Sequence, residues 1–299
     1  MGRLSAAALI LFAVPRLAPA QDPVFRSDVN LVRLLVTVKD AAGSIVTSAD
    51  RDDFIVYDNG VQQTVSIFER MTEQPLSVSL LIDTSGSTGI ELHNEQDSLL
   101  HFITALLREG NSKDAAALYS FDTFVTLHCS FTRRVALLER ELQGLHSEAG
   151  TSMYDAIWLA SQDLEGREGR HVMVIVTDGG DTTSDKDYHA ALRAAQVAEA
   201  SVYPVVIIPI TNPVGRNIGG EHALTTIAQG TGGRIFLPTN GAELENAFVQ
   251  LVHELRTQYL LAYYPRGIPH SDNRFHTTTV KLTRPGLRAI TRTGYYGSN

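Results

Sequence analysis

From about Pro75 to Leu255 the chain repeats one pattern: a short run that is apolar almost throughout, then a segment with apolar residues at helical spacing. Leu76 to Ile82, Ala115 to Phe121, Val172 to Val176 and Val202 to Ile208 are runs of the first kind. A strand that is apolar on both faces has to be covered on both faces, which is the environment of a parallel sheet between helices. Ile90 to Leu107, Val135 to Leu145, Met153 to Leu164, Asp187 to Ala200, Ala223 to Gln229 and Ala242 to Leu255 have helical spacing. Phe124 to Cys129 and Arg234 to Leu237 read as further short strands. The pattern predicts an α/β layer structure. It also directs attention to the loops at the carboxyl ends of the strands, where such sheets bind ligands.

The flanks follow a different rule. Val29 to Val38 is rich in branched residues, Phe54 to Tyr57 is a short strand run, and Val61 to Phe68 alternates as a return strand after Asp58-Asn59-Gly60, a hairpin signal. After Arg256, Gln258 to Tyr264, Thr277 to Leu282 and Arg288 to Thr293 again read as strands, with Pro265, Gly267 and Pro285-Gly286 as turns. Three strands on either side are too few for two robust sheets. One reading joins residues 21–74 and 256–299 into a single small β-sandwich with the α/β part (75–255) inserted between its halves. The other keeps two separate hairpin units packed on the α/β part.

The N-terminus has the layout of a secretory signal over residues 1–20: Arg3, an apolar stretch from Ser5 to Val14, and Ala18-Pro19-Ala20 before Gln21. The apolar stretch is too short to span a bilayer, and no later stretch is long and apolar enough to do so. An exported chain, periplasmic or extracellular, is expected. The net charge of −8 gives no basic patch for nucleic acid, and none is expected as a partner. Cys129 is the only cysteine, so no internal disulfide can form, and it reads as an inert core thiol.

Chemistry concentrates in three loops. Asp83-Thr84-Ser85-Gly86-Ser87 follows the first apolar strand directly and precedes a helix. Alternate residues of an extended loop turn to one side, so Asp83, Ser85 and Ser87 would converge, with Gly86 allowing a tight path between them. Gly150-Thr151-Ser152 precedes another helix, and Thr177-Asp178-Gly179-Gly180 follows the Val172 to Val176 strand. The donors are two carboxylates and three hydroxyls, all oxygen. That set suits Mg²⁺, with Mn²⁺ or Ca²⁺ as substitutes, and not zinc. Two carboxylates at most neutralise a divalent ion; if Asp178 reaches it only through water, the ion stays electrophilic and can take a further carboxylate from outside. A hydrolytic site would ordinarily add a general base or a second metal. The bland alternative is that Asp83 and Ser87 cap the following helix and Asp178 starts a turn.

Asp83-x-Ser85-x-Ser87, Thr151 and Asp178 resemble the metal-ion-dependent adhesion site of von Willebrand factor A (VWFA) domains over roughly residues 75–255. The resemblance implies a Rossmann-like, mainly parallel sheet with one antiparallel edge strand, metal-bridged binding of a protein partner that offers an Asp or Glu carboxylate, and no catalysis. Outside it, Asp53-Phe54-x-Val56, Tyr259-Leu260-Leu261-x-Tyr263-Tyr264-Pro265 and Arg292-x-Gly294-Tyr295 resemble secreted bacterial proteins of the acidobacterial VWFA-related type. Ala149-Gly150 stands where those often have two glycines. The expected function is adhesion or scaffolding; the other readings are a metal-dependent hydrolase and a purely structural metal-stabilised module. Asp155 reads as a first-turn helix residue rather than a sixth ligand, and Asp181 with Asp185 to Asp187 as a solvated acidic turn. His253-Glu254 begins like a zinc-protease motif, but Thr257 stands where its second histidine would be. The polar loop Thr211 to Gly220 reads equally as a partner-reading loop or a plain surface loop.

Overall fold

A computed structural model describes residues 31–86, 89–207, 217–268 and 274–297. The expected signal segment, Ser87 and most of the 211–220 loop lie outside the described residues. The α/β part is a five-stranded sheet in the order β7-β6-β5-β8-β9. Its strands are β5 (Leu76–Asp83), β6 (Ala115–Phe121), β7 (Val125–Thr132), β8 (Arg170–Thr177) and β9 (Ala200–Val206). All pairs are parallel except β6 with the edge strand β7, which is antiparallel. Every residue of β5, β6, β8 and β9 is buried, which is why these strands read as unbroken apolar runs.

Alternation along β5 divides the core into two layers. Val78, Leu80 and Ile82 pack with residues of α1 (Gly89–Arg108), α2 (Val135–Gln143) and α6 (Gly241–Thr257), among them Phe102, Leu138 and Phe248. Leu81 faces the other side, toward α3 (Met153–Glu165), α4 (Tyr188–Val197) and α5 (Ile218–Thr231), with Ile157, Ala191 and Leu224.

The flanking segments form two four-stranded sheets, β12-β1-β10-β4 and β13-β11-β2-β3. Strands β1 (Val32–Lys39), β2 (Phe54–Asp58), β3 (Val61–Gln63) and β4 (Ile67–Glu69) precede the α/β part. Strands β10 (Tyr259–Tyr263), β11 (Phe275–Leu282), β12 (Arg288–Ile290) and β13 (Gly294–Tyr296) follow it. Each sheet therefore takes two strands from either side of the α/β part. One apolar core joins the sheets, with Leu34 and Val36 of β1, Val56 of β2 and Leu261 of β10 in it. This is the sandwich, and the reading as two separate hairpin units is set aside. The Tyr263 hydroxyl of one sheet and the Tyr295 hydroxyl of the other both donate to Oδ2 of the buried Asp58, at 2.8 and 2.7 Å, so the Tyr263 bond ties the sheets together.

Several sequence expectations need correction. The run Arg234 to Leu237 is not a strand: it touches the sheet through a single bridge, Val205 with Phe236. The Arg234 side chain turns instead to α6, where Nε donates to Glu254 at 2.8 Å and Nη2 to Gln250 at 3.1 Å. The return strand Val61 to Phe68 is two strands in different sheets, because buried Val65 fills the sandwich core where the chain crosses between them. The run Arg288 to Thr293 ends as a strand at Ile290, and β13 was not anticipated. The hairpin expected at Asn59-Gly60 is present, with φ of 46° and 80°, the two positive values a type I′ turn requires.

Charged pairs join sandwich to α/β part. Arg33 and Arg292 both donate to Glu199, at 3.1 and 3.0 Å. Burial alone would raise the Glu199 carboxyl, but the guanidinium groups of Arg292 and Arg33 outweigh it and hold it below the usual glutamate range. A depressed acid stabilises the fold above its unfolded pKa, and that contribution is lost as the pH falls through the folded value. Denaturation midpoints measured from about pH 6 to about pH 3 should fall more steeply for the native chain than for Glu199→Gln. Parallel curves would show that the pair carries no linkage.

Candidate metal centre

β5 ends at Asp83 and β8 at Thr177, side by side one residue beyond the register pair Ile82–Val176. Asp83 is 1% exposed. Its Oδ2 accepts from the Thr177 hydroxyl at 2.6 Å and its Oδ1 from the Ser85 N–H at 2.9 Å. Burial pushes the Asp83 carboxyl up; the Thr177 and Ser85 hydrogen bonds oppose this only in part, and the neighbouring charge of Asp178 adds to the rise. Among the described residues no lysine or arginine pairs with it. The Ser85 side chain hydrogen-bonds the same carboxylate, which sets its hydroxyl beside Asp83 as a second oxygen donor.

The other loops close around this point. Ser85 forms a parallel bridge with Glu148, and the Glu148 N–H donates to the Thr84 carbonyl at 3.0 Å. This brings the segment leading to Thr151 against the first loop. Gly150 has φ of +83°, and a Cβ there would meet the Thr123 hydroxyl at 2.3 Å, so the turn into Thr151 is open only to glycine. The Thr151 N–H donates to the hydroxyls of Thr182 and Thr183 at 3.0 and 3.1 Å, and its carbonyl accepts the Thr182 N–H at 2.8 Å. Thr151 is thus held through its main chain against the segment that follows Asp178. Asp178, half-buried, accepts the Gly180 N–H at 3.1 Å on Oδ1. Its loop is braced from below by the Gly179 N–H, which donates to the Thr177 hydroxyl at 3.0 Å.

Of the five residues singled out from the sequence, the structure places Asp83, Ser85, Thr151 and Asp178 in loops that touch one another at the carboxyl end of the sheet. Ser87 lies outside the described residues. The donor set fits a hard divalent ion: oxygen ligands only, around a buried carboxylate that lacks a cationic partner among the described residues. Asp155 is in the first turn of α3, and both its oxygens accept backbone N–H groups, from Lys186 and Asp185 at 2.9 Å each. The acidic turn is likewise knitted in: Asp181 accepts from Tyr154 N–H and Ser184 hydroxyl at 3.0 and 2.7 Å, and Asp187 caps α4 through Ala190 N–H at 2.8 Å. Sequence reading passed over Thr177 as a positioning residue. Its signal was its place, immediately before Asp178 at a strand end, where alternation turns it away from Asp178.

α5 begins at Ile218, earlier than expected, and the end of the expected polar loop is its first turn. Asn217 caps it, accepting the Gly220 N–H at 2.9 Å. A Cβ on Gly220 would lie 1.6 Å from the Gly179 carbonyl oxygen, so the helix start seats directly on the Asp178 loop.

Residues 78–180 match the family model of the von Willebrand factor type A domain, a span that contains all five candidate ligands. A search of curated proteins finds no match for the chain. Among solved structures, the fold is similar to the vWF domain of the type V pili tip protein Mfa5 from Porphyromonas gingivalis. That likeness has a TM-score of 0.52 at 14% identity and covers 61% of this chain and 95% of the matched chain. It is also similar to the pilus adhesin SpaC from Lactobacillus rhamnosus GG, with a TM-score of 0.50 at 9% identity over 85% of this chain and 48% of that one. A mutant of the PilB minor pilin from Streptococcus sanguinis gives a TM-score of 0.50 at 13% identity over 62% of each chain. At these identities the likeness establishes the fold. The α/β part therefore has the von Willebrand factor A architecture, with its loops over the carboxyl ends of β5 and β8.

Proposed function

We propose that the chain is an exported adhesion or scaffolding protein that holds a divalent cation at Asp83, Ser85, Ser87, Thr151 and Asp178 and uses it to grip a carboxylate of a protein partner. The observation that carries this is the buried Asp83 carboxylate at a strand end, ringed by hydroxyl loops, with no cationic side chain paired to it among the described residues. Mg²⁺ fits the oxygen donors, and Mn²⁺ or Ca²⁺ would serve in its place. When bound, the ion supplies an open coordination position for an external carboxylate. Acidic residues stand around the centre, Asp122 in the turn after β6, Glu148 ahead of Gly150, and Asp181 and Asp185 after Asp178, so an acidic partner is repelled until the metal is present. The binding-module reading also accords with the family model matched over residues 78–180. Export, to the periplasm or beyond, rests on the leader-like layout of residues 1–20.

Two large apolar side chains stand exposed beside these loops. Phe124, 74% exposed, follows Thr123, which packs on Gly150; Ile218, 72% exposed, opens α5 beside Gly179. A partner segment that places its carboxylate on the metal would meet Phe124 on one side and Ile218 on the other, where buried aromatic contacts contribute most to affinity. Random peptides displayed on phage, captured on the Mg²⁺-loaded chain and released by chelator, should be enriched in Asp or Glu next to aromatic or aliphatic residues. Phe124→Ser should weaken the selected peptides about tenfold and leave Mg²⁺ affinity unchanged. Release by chelator of peptides without acidic residues would contradict the reading.

A further inference from the structure

The two edges of the five-stranded sheet end differently. Phe236 lies along the β9 edge: its N–H donates to the Pro204 carbonyl at 2.8 Å, and its carbonyl accepts the Val206 N–H at 2.9 Å. The other edge, β7, pairs with β6 and with no other strand among the described residues. The backbone pattern shows which groups it leaves open. The Phe121 carbonyl at the end of β6 accepts the Thr84 N–H at 3.0 Å, so Phe121 faces β5 and not its register partner Val125. The Phe124 carbonyl turns inward, to the Asp122 N–H at 3.1 Å. Inward and outward residues alternate along an antiparallel edge, so the N–H and C=O of Val125 and of Leu127 point away from the sheet. Among the described residues nothing outside β7 bonds them.

Edge strands are ordinarily guarded by lysine, proline, a bulge or a covering segment. Val125 to Leu127 has no charged residue and no proline; Thr126 and Leu127 are exposed, and Phe124 just before them is 74% exposed. A guard stands only beyond Leu127, where the register shift makes His128 an extra residue and ends the regular pairing. A row of open N–H and C=O groups at strand spacing is matched by an extended backbone, which supplies acceptors and donors at the same spacing about 4.8 Å away. The open stretch also abuts the candidate metal centre. The Thr123 N–H donates to the Ala149 carbonyl at 3.0 Å and the Ser152 N–H to the Asp122 carbonyl at 2.6 Å, so the turn into β7 is bonded on either side of Gly150-Thr151. A strand added to β7 would lie three strand spacings from β5, roughly 14 Å, which about four extended residues cross.

We propose that β7 takes up an extended segment of the protein partner as a sixth strand, paired to Val125 and Leu127, and that the same segment carries its Asp or Glu about four residues from that strand. The placing of the acid rests on the metal-dependent reading above; the strand pairing does not. The probes are the peptides captured from the phage library by the Mg²⁺-loaded chain. Leu127→Pro removes one outward N–H and no ladder bond, whereas Leu127→Ala removes the side chain and keeps the N–H. Captured peptides should bind Leu127→Pro about fivefold more weakly than Leu127→Ala, with Mg²⁺ affinity equal in the two. Should the proline variant fail to fold, amide exchange in the native chain decides alone: Val125 and Leu127 should exchange about tenfold more slowly with peptide bound. Equal binding by the two variants, or unchanged exchange at both amides, overturns the pairing. Peptides that protect both amides in chelator as well as in Mg²⁺ support the strand and contradict the metal-dependent reading; peptides that chelator releases but that leave both amides unprotected do the reverse. A library that yields no binder contradicts both. Protection of the two amides in the free chain as its concentration rises would give the edge to a second copy and overturn the proposal.

Discussion

Replacing Asp83 by alanine is expected to abolish divalent-cation binding, with an affinity loss of at least about 100-fold. Asp83 is the buried carboxylate around which the loops are built, and its two oxygens are already oriented by Thr177 and Ser85. Without it the remaining donors are hydroxyls and the half-buried Asp178, too little charge to draw an ion out of water. The consequence extends to stability, because a ligand bound only by the folded state stabilises it. At Mg²⁺ about 100 times its dissociation constant, the native chain should gain about 2.7 kcal/mol, and Asp83→Ala should gain nothing. In the metal-free state the two should differ by less than about 1 kcal/mol. The variant loses a buried charge that no cation offsets, a gain, and leaves the Thr177 hydroxyl and Ser85 N–H without their acceptor, a loss. Thermal melts of both proteins with and without Mg²⁺ read all four quantities. Equal stabilisation of both by Mg²⁺ would place the ion somewhere else.

Glu254→Ala should cost about 3–5 kcal/mol. Glu254 is fully buried on α6, and its Oε2 receives Lys39 Nζ from β1 at 3.1 Å and Arg234 Nε at 2.8 Å. Lys39 is only 6% exposed, so removing its partner strands a cation between sandwich and α/β part. Arg234 is less affected, since it also bonds Gln250 and its side chain is a quarter exposed. Replacing Lys39 and Glu254 together by methionine should recover most of the loss, because the penalty comes from the orphaned charge and not from an absent attraction. Urea denaturation of the two variants measures both steps. A loss under about 1 kcal/mol for Glu254→Ala would show that Lys39 escapes to water.

The α/β core was legible because burial acts on every residue of its strands. Leu76 to Ile82 and Val172 to Val176 are apolar on both faces, and only a covered sheet makes that favourable. The Asn59-Gly60 hairpin was legible because few residues tolerate two successive positive φ values. What escaped was set by contacts distant in sequence. Gly219-Gly220 suggested loop, yet they open α5, because the helix start seats on the Gly179 carbonyl and only glycine fits there. Arg234 to Leu237 has strand composition, but its arginine is drawn to Glu254 and Gln250 on α6, and no spacing rule reveals such a pairing. At the candidate metal centre the ligand types and their loops could be named from the sequence. The Thr177 hydroxyl on Asp83 could not, since it depends on the register of β5 against β8.

Calorimetric titration of Mg²⁺ into the purified chain, stripped with chelator beforehand, tests the central claim most directly. The account predicts saturable binding at one site per chain, with an affinity at or tighter than roughly millimolar. No heat of binding across that range, with the chain folded, would contradict it.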